Sequence, residues 1–160
     1  MNSIREQIVK EAISWVGTPY HDHAGIKNAG VDCAFFPLKC YQAVGRIPKD
    51  FTVPYYSPQQ WLNSPSQKDK FHLKFEDTTF LDIVLRFARR EITEDEVQPG
   101  DFIIWKVAAS WTHGGIIIKW PEYVLHPVVK LGVVGSHADN EGFLVKRQRR
   151  FFSVFDKDEE

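Results

Sequence analysis

Residues 30–41 read GVDCAFFPLKCY, and the reading of Cys33 decides how the chain is organised around it. A glycine and an acid lie just upstream; two phenylalanines, a proline and Cys40 lie downstream, and Gly45 closes the pattern. The run from Cys33 to Val44 predicts a helix with the cysteine at its start. Unpaired N–H groups and the macrodipole at a helix N-terminus favour negative charge. That lowers a thiol's pKa and offers donors to an oxyanion. These residues alone leave three readings open: a small buried hydrophobe, half of a redox or metal pair with Cys40, or a nucleophile. Cys40 falls on nearly the same helical face but about two turns away, too far for a bond within one helix, and is expected in the core. Asp32 stands where it can cap the helix, though its charge beside the thiol opposes ionisation.

Outward from this stretch, Ser3 and Glu6 form a capping box, and Ile4, Ile8, Ala12 and Ile13 repeat at helical spacing until Gly17 and Pro19 stop the helix. Residues 18–32 read as a loop carrying Tyr20, His21 and His23. Residues 46–77 hold four prolines and read as a surface insertion, and residues 79–90 return to helical spacing through Leu81, Val84, Leu85 and Ala88. After the turn signal Pro99-Gly100 the period switches to strand in DFIIWKV, THGGIIIKW, YVLHPVV and GFLVKRQRRFF. Helices first and strands second predict a single α+β domain, with helices on one face of an antiparallel sheet and a frayed tail at 156–160.

Composition narrows the partners. The 160 residues carry a net charge of −1, with 43% hydrophobic and 26% charged residues. No broad basic field is present to hold nucleic acid. Two cysteines cannot make a disulfide framework or a four-thiolate zinc site. The N-terminus lacks a basic leader with an apolar run, and no segment has the length to span a bilayer, so a chain made in the cytoplasm without a signal peptide or membrane insertion is expected.

A nucleophilic thiol needs a base. THGGIIIKWPEYVLHP, residues 112–127, carries His113 and His126 in two strand-like runs. A hairpin with a two-residue turn near Trp120 pairs odd positions with even ones, which puts both imidazoles on one face within reach of each other. His113 can then take the thiol proton while His126 fixes its tautomer. His21 and His23 flank Asp22 and are expected to line the cleft or stand in solvent. A full set of metal ligands is not evident, and neither metal nor cofactor is expected. His72 and His137 are expected at the surface.

WVGTPYHDHAGIKNAGVDCAFF, residues 15–36, resembles the first motif of the NlpC-type cell-wall cysteine peptidases. QPGDFIIWK resembles that family's P-G-D strand start, THGGIIIKW its histidine-bearing strand, and VLHP the site of its third polar residue. The resemblance spans roughly residues 8–130 and is nearest to the phage-tail and gene-transfer-agent branch, whose proline-rich insertion residues 46–77 match. It implies a papain-like α+β fold with the cysteine helix packed on a C-terminal antiparallel sheet. It implies Cys33 as nucleophile, His113 as general base and His126 as orienter. Tyr20 and the Cys33 N–H would bind the oxyanion. Apart from the resemblance, His21, His23 and Asp32 are the further residues expected on the oxyanion and substrate-binding side of the site. The implied substrate is a peptidoglycan stem peptide, typically cut between a D-γ-glutamyl residue and a diamino acid, with phage tail proteins as partners and delivery to the wall by the particle. Phe35-Phe36-Pro37 stands where the family usually has small residues. That departure keeps open a tail-tip or wall-binding module with little turnover, and a papain-like amidase or acyltransferase on another substrate.

Overall fold

The computed structural model describes residues 3–54, 56, 80–108, 110–140 and 142–159. Helix α1, Ile4–Ile13, begins at the expected capping box: Ser3 Oγ accepts from the Glu6 N–H, and Glu6 Oε2 accepts from the Ser3 N–H at 2.7 Å. A two-strand ribbon, β1 Gly25–Ile26 and β2 Gly30–Val31, leads into α2, Phe35–Ala43, and α3 covers Phe80–Phe87. The main sheet comprises β3 Arg90–Ile92, β4 Phe102–Val107, β5 Ser110–Lys119, β6 Tyr123–Val128, β7 Gly132–Ser136 and β8 Arg149–Ser153. All its pairs are antiparallel, in the order β3-β8-β4-β5-β6-β7. The expected arrangement, helices then a C-terminal antiparallel sheet, is present. No helix among the described residues is long and apolar enough to cross a membrane.

Alternation along the strands builds two cores. Phe102, Ile104, Ile116 and Leu125 pack with Ile8, Ala12, Phe36, Leu38 and Phe80 from the helices. Ile103, Trp105, Ile117 and Val124 form a smaller cluster with Leu144 and Phe151. The P-G-D turn ties the layers together. Gly100 takes φ +89°, a conformation that favours glycine, and its carbonyl accepts from the Tyr41 hydroxyl at 3.1 Å. Asp101, fully buried, accepts from Arg5 at 3.0 Å and Ser153 at 2.8 Å, which makes its burial tolerable.

Several sequence expectations shift. Helix α2 starts at Phe35 rather than Cys33, which places the thiol just ahead of the first turn. Pro37 is then the third helical residue, where N–H groups have few partners within a helix, and the missing donor costs little. The buried face of α3 is Phe80, Ile83, Val84 and Phe87, while Leu85 points outward. Two edge-to-face contacts with Phe102, from Phe80 and Phe87 at 6.1 Å each, set that rotation. β3 begins at the last residue of the run given helical spacing, β7 lies between two of the strand-like runs, and most of GFLVKRQRRFF is not strand: only its last part enters β8. Most of the 46–77 insertion, including His72, lies outside the described residues. The charged tail, expected to fray, forms a short 3-10 turn at Lys157–Glu159, where Arg46 donates to both Glu159 oxygens.

Candidate active site

Asp32 sets up the cysteine. One carboxylate oxygen accepts from the N–H groups of Ala34 at 3.0 Å and Phe35 at 2.9 Å, so the acid, two residues before the N-cap Ala34, holds the start of α2. Phe36 turns into the core, edge-on to Trp15 at 6.2 Å, and Phe35 lies over Gly25. Neither ring lines the cleft at the thiol. That cleft, of about 210 Å³, is walled by Tyr20, Cys33, Val107, Thr112, His113, Pro127 and Val128 at the end of β6, and Val129 just beyond it.

Four side chains form a continuous line of hydrogen bonds. Cys33 Sγ lies 3.2 Å from His113 Nδ1, His113 Nε2 lies 2.7 Å from His126 Nδ1, and His126 Nε2 lies 2.9 Å from Ser136 Oγ. For Nδ1 of His113 to accept the thiol proton, its Nε2 must carry hydrogen and donate to His126. His126 in turn donates to Ser136. The sheet makes this line. An extra residue, Thr112, bulges β5 against β4 beside His113, a device that re-aims a neighbouring side chain. The β5–β6 hairpin is not a two-residue turn. Lys119 faces Tyr123, and a register shift between Ile117 and Lys119 restores the odd–even pairing, so the two histidines lie diagonally across the strands. Gly115 makes room: a Cβ there would meet the Leu125 carbonyl and the His126 Cβ. Trp105 packs against both imidazoles, at 5.6 and 5.9 Å between ring centres.

Burial, reinforced by the Asp32 charge, pushes the Cys33 thiol up to about 12, while the N–H groups of Gly114 and Cys33 pull weakly the other way. Burial first, then the charges of His126 and Arg147, hold His113 well below the ordinary imidazole range. The resting pair is therefore thiol and neutral imidazole, with the S–H also facing the Pro127 carbonyl at 3.6 Å. Proline has no N–H to pair across the sheet at this point, which suits the opening of the strands at the cleft. The helix start alone therefore does not produce a thiolate here, because desolvation outweighs it.

The same shifts link stability to pH. Unfolded His113 takes a proton near pH 6.5, whereas the folded residue resists it, so its contribution is complete above about pH 6.5 and lost as pH falls. Urea unfolding is expected to show ΔG dropping by up to about 1.4 kcal/mol per pH unit below that value for this one group. His113→Asn should flatten the slope by that amount, and an unchanged slope would contradict the assignment. The thiol acts oppositely: its contribution is present below about pH 9 and declines as pH rises toward 12.

The other site expectations divide. Tyr20 is in the cleft, its hydroxyl donating to Asp22 at 3.1 Å. His21, His23 and Asp32 do not line it. His21 bonds the Asp22 carbonyl, His23 Nε2 the Tyr56 carbonyl at 2.6 Å, and Asp32 is buried as a capping acid. Among the described residues no cluster of three or more His, Cys, Asp or Glu side chains is arranged to hold a metal. Cys40 is fully buried. Ser136 was not anticipated. It follows β-branched Val133-Val134 in a glycine-rich run, and its alternation with Val134 puts it on a face only the fold reveals.

This sheet order, with the cysteine ahead of a helix packed on it, is the papain-like α+β fold of NlpC/p60 domains. Among solved structures, the chain is similar to the NlpC/p60 domain of the peptidoglycan hydrolase SagA, at 20% identity and TM-score 0.55, over 94% of this chain and 97% of that one. It is similar to an NlpC/P60 family protein from Bacillus cereus, at 15% identity and TM-score 0.57, over 91% of this chain and 39% of that one. RipD from Mycobacterium tuberculosis, a non-catalytic NlpC/p60 domain protein adapted to peptidoglycan binding, matches at 13% identity and TM-score 0.55, over 97% and 100%. No protein-family model matches the chain, and no curated protein matches it in sequence.

Proposed function

We propose that the protein is a cysteine hydrolase that cleaves an amide bond in peptidoglycan stem peptides. The observation that carries this reading is the unbroken line Cys33–His113–His126–Ser136 opening onto a cleft. The shared fold with the domain of a peptidoglycan hydrolase supports the substrate class. As Sγ attacks the carbonyl carbon, the thiol proton passes to His113 Nδ1, so no thiolate has to form first. His126 accepts from the resulting imidazolium and Ser136 holds His126. His113 then protonates the departing amine, and in the second step it takes a proton from the water that hydrolyses the thioester. The Cys33 N–H and the Tyr20 hydroxyl, once turned from Asp22, are the oxyanion donors we assign. Burial and its carboxylate neighbours raise the Tyr20 phenol far above its usual value, so it remains a donor at any working pH. The resemblance of residues 15–36 to the phage-tail branch makes a tail or gene-transfer particle the setting we propose, with wall delivery by that particle.

A wall-binding module without turnover is the second reading. It is favoured by the strongly raised thiol and by the non-catalytic character of RipD. Purified protein incubated with a murein digest separates the two. Hydrolysis is expected to release new amine and carboxyl termini, identified by mass spectrometry. Pull-down of murein with no new termini would overturn the hydrolase reading.

A further inference from the structure

Asp32 accepts four hydrogen bonds, and three of them come from backbone N–H groups: Ala34 at 3.0 Å, Phe35 at 2.9 Å and His23 at 2.8 Å. The fourth donor is a side chain from a distant part of the chain, the hydroxyl of Tyr56 on Oδ2. Tyr56 is 5% exposed, and its own setting is built. His23 Nε2 donates to its carbonyl at 2.6 Å, and its ring lies 4.5 Å from the His23 ring and 6.5 Å from that of Phe35. A buried carboxylate beside a nucleophilic thiol is costly unless its oxygens are satisfied, and its field opposes loss of the thiol proton.

We propose that Tyr56 is a positioning residue for Cys33: its hydroxyl locks and screens Asp32, which in turn fixes the helix start that presents the thiol. Tyr56 also ties the segment after α2 to the approach loop, through its carbonyl and its ring at His23. Burial and the Asp32 charge raise the phenol far above its ordinary value, so it donates throughout the working range. The charged and titratable groups facing Cys33 are Asp32 on its own segment, Asp22 and Tyr20 on the approach loop, Tyr56 on the segment after α2 and His113 on β5. Behind His113 stand His126 and Arg147.

The turnover arm of the test rests on the hydrolase reading; the alkylation arm does not. Rates of Cys33 alkylation by iodoacetamide are measured against pH in the full chain, with Cys40, reachable only on unfolding, as the internal reporter of an intact fold. Tyr56→Phe keeps the ring and removes the donor. Its profile is expected to move upward by roughly half a pH unit or more, because the Asp32 charge is no longer screened. Asp32→Asn should move it downward, by removing that charge, and the double variant should match Asp32→Asn alone. General unfolding would instead expose both thiols in every variant. Murein turnover, where present in the wild type, is expected to fall about tenfold in Tyr56→Phe through kcat, with KM nearly unchanged. A Tyr56→Phe profile that superimposes on the wild type, or one that shifts equally in the Asp32→Asn background, would overturn the proposal.

Discussion

Cys33→Ala is expected to abolish murein hydrolysis, with a loss of at least about 10³-fold, and His113→Ala to reduce kcat by roughly 10²- to 10⁴-fold. In the proposed mechanism the two residues act as one unit, so the double variant should be little worse than Cys33→Ala alone. The reason lies in the resting state. With the thiol pushed up to about 12, a spontaneous thiolate is negligible at neutral pH, and attack depends on a base 3.2 Å away. Alkylation of Cys33 should accordingly climb steadily from neutral to alkaline pH in the wild type and slow in His113→Ala. Steady-state cleavage of a stem peptide, followed by chromatography, checks the first expectation. Turnover surviving in Cys33→Ala would place the chemistry elsewhere.

Trp105→Ala is expected to cost about 3–5 kcal/mol in stability, because a fully buried indole is replaced by a cavity in the cluster it forms with Ile103, Ile117 and Val124. Against a total of roughly 5–15 kcal/mol for a domain, this is a large fraction, equivalent to a drop in Tm on the order of 10 °C. Activity should fall too, even well below the new Tm, because both imidazoles rest on this ring. Trp105→Phe provides the contrast. It keeps much of the packing and removes an indole N–H that has no hydrogen-bond partner among the described residues, a group that is costly to bury unpaired. Its loss is expected to stay below about 2 kcal/mol, with the histidines still supported. Thermal denaturation followed by circular dichroism distinguishes the two. Equal losses would mean that the ring's volume is not what holds the site.

Much of the architecture was readable in residue patterns. The capping box at Ser3 and Glu6, the P-G-D turn and the β-branched runs of β4 to β6 carry local signals strong enough to specify their elements. β3 is three residues long and polar, and β7 is glycine-rich, so each becomes a strand only because a neighbour offers a free edge. The rotation of α3 was misread because Leu85 and Phe87 are equally apolar. Only the aromatic contacts with Phe102 choose between them.

The site shows the same division. Local chemistry in the sequence was enough to bring Cys33, His113 and His126 forward, since a cysteine at a helix start and two histidines of opposite parity are features of single segments. The parity was right although the turn was not, because a register shift in β5–β6 compensated for the longer loop. What the thiol experiences was decided by tertiary structure alone. Burial overrides the helix start and leaves the thiol neutral, a bulge at Thr112 aims His113, Ser136 arrives from an unrecognised strand, and Tyr56 reaches Asp32 across 24 residues of chain. Desolvation and hydrogen bonds between distant segments depend on how elements pack, and no local pattern of residues encodes that.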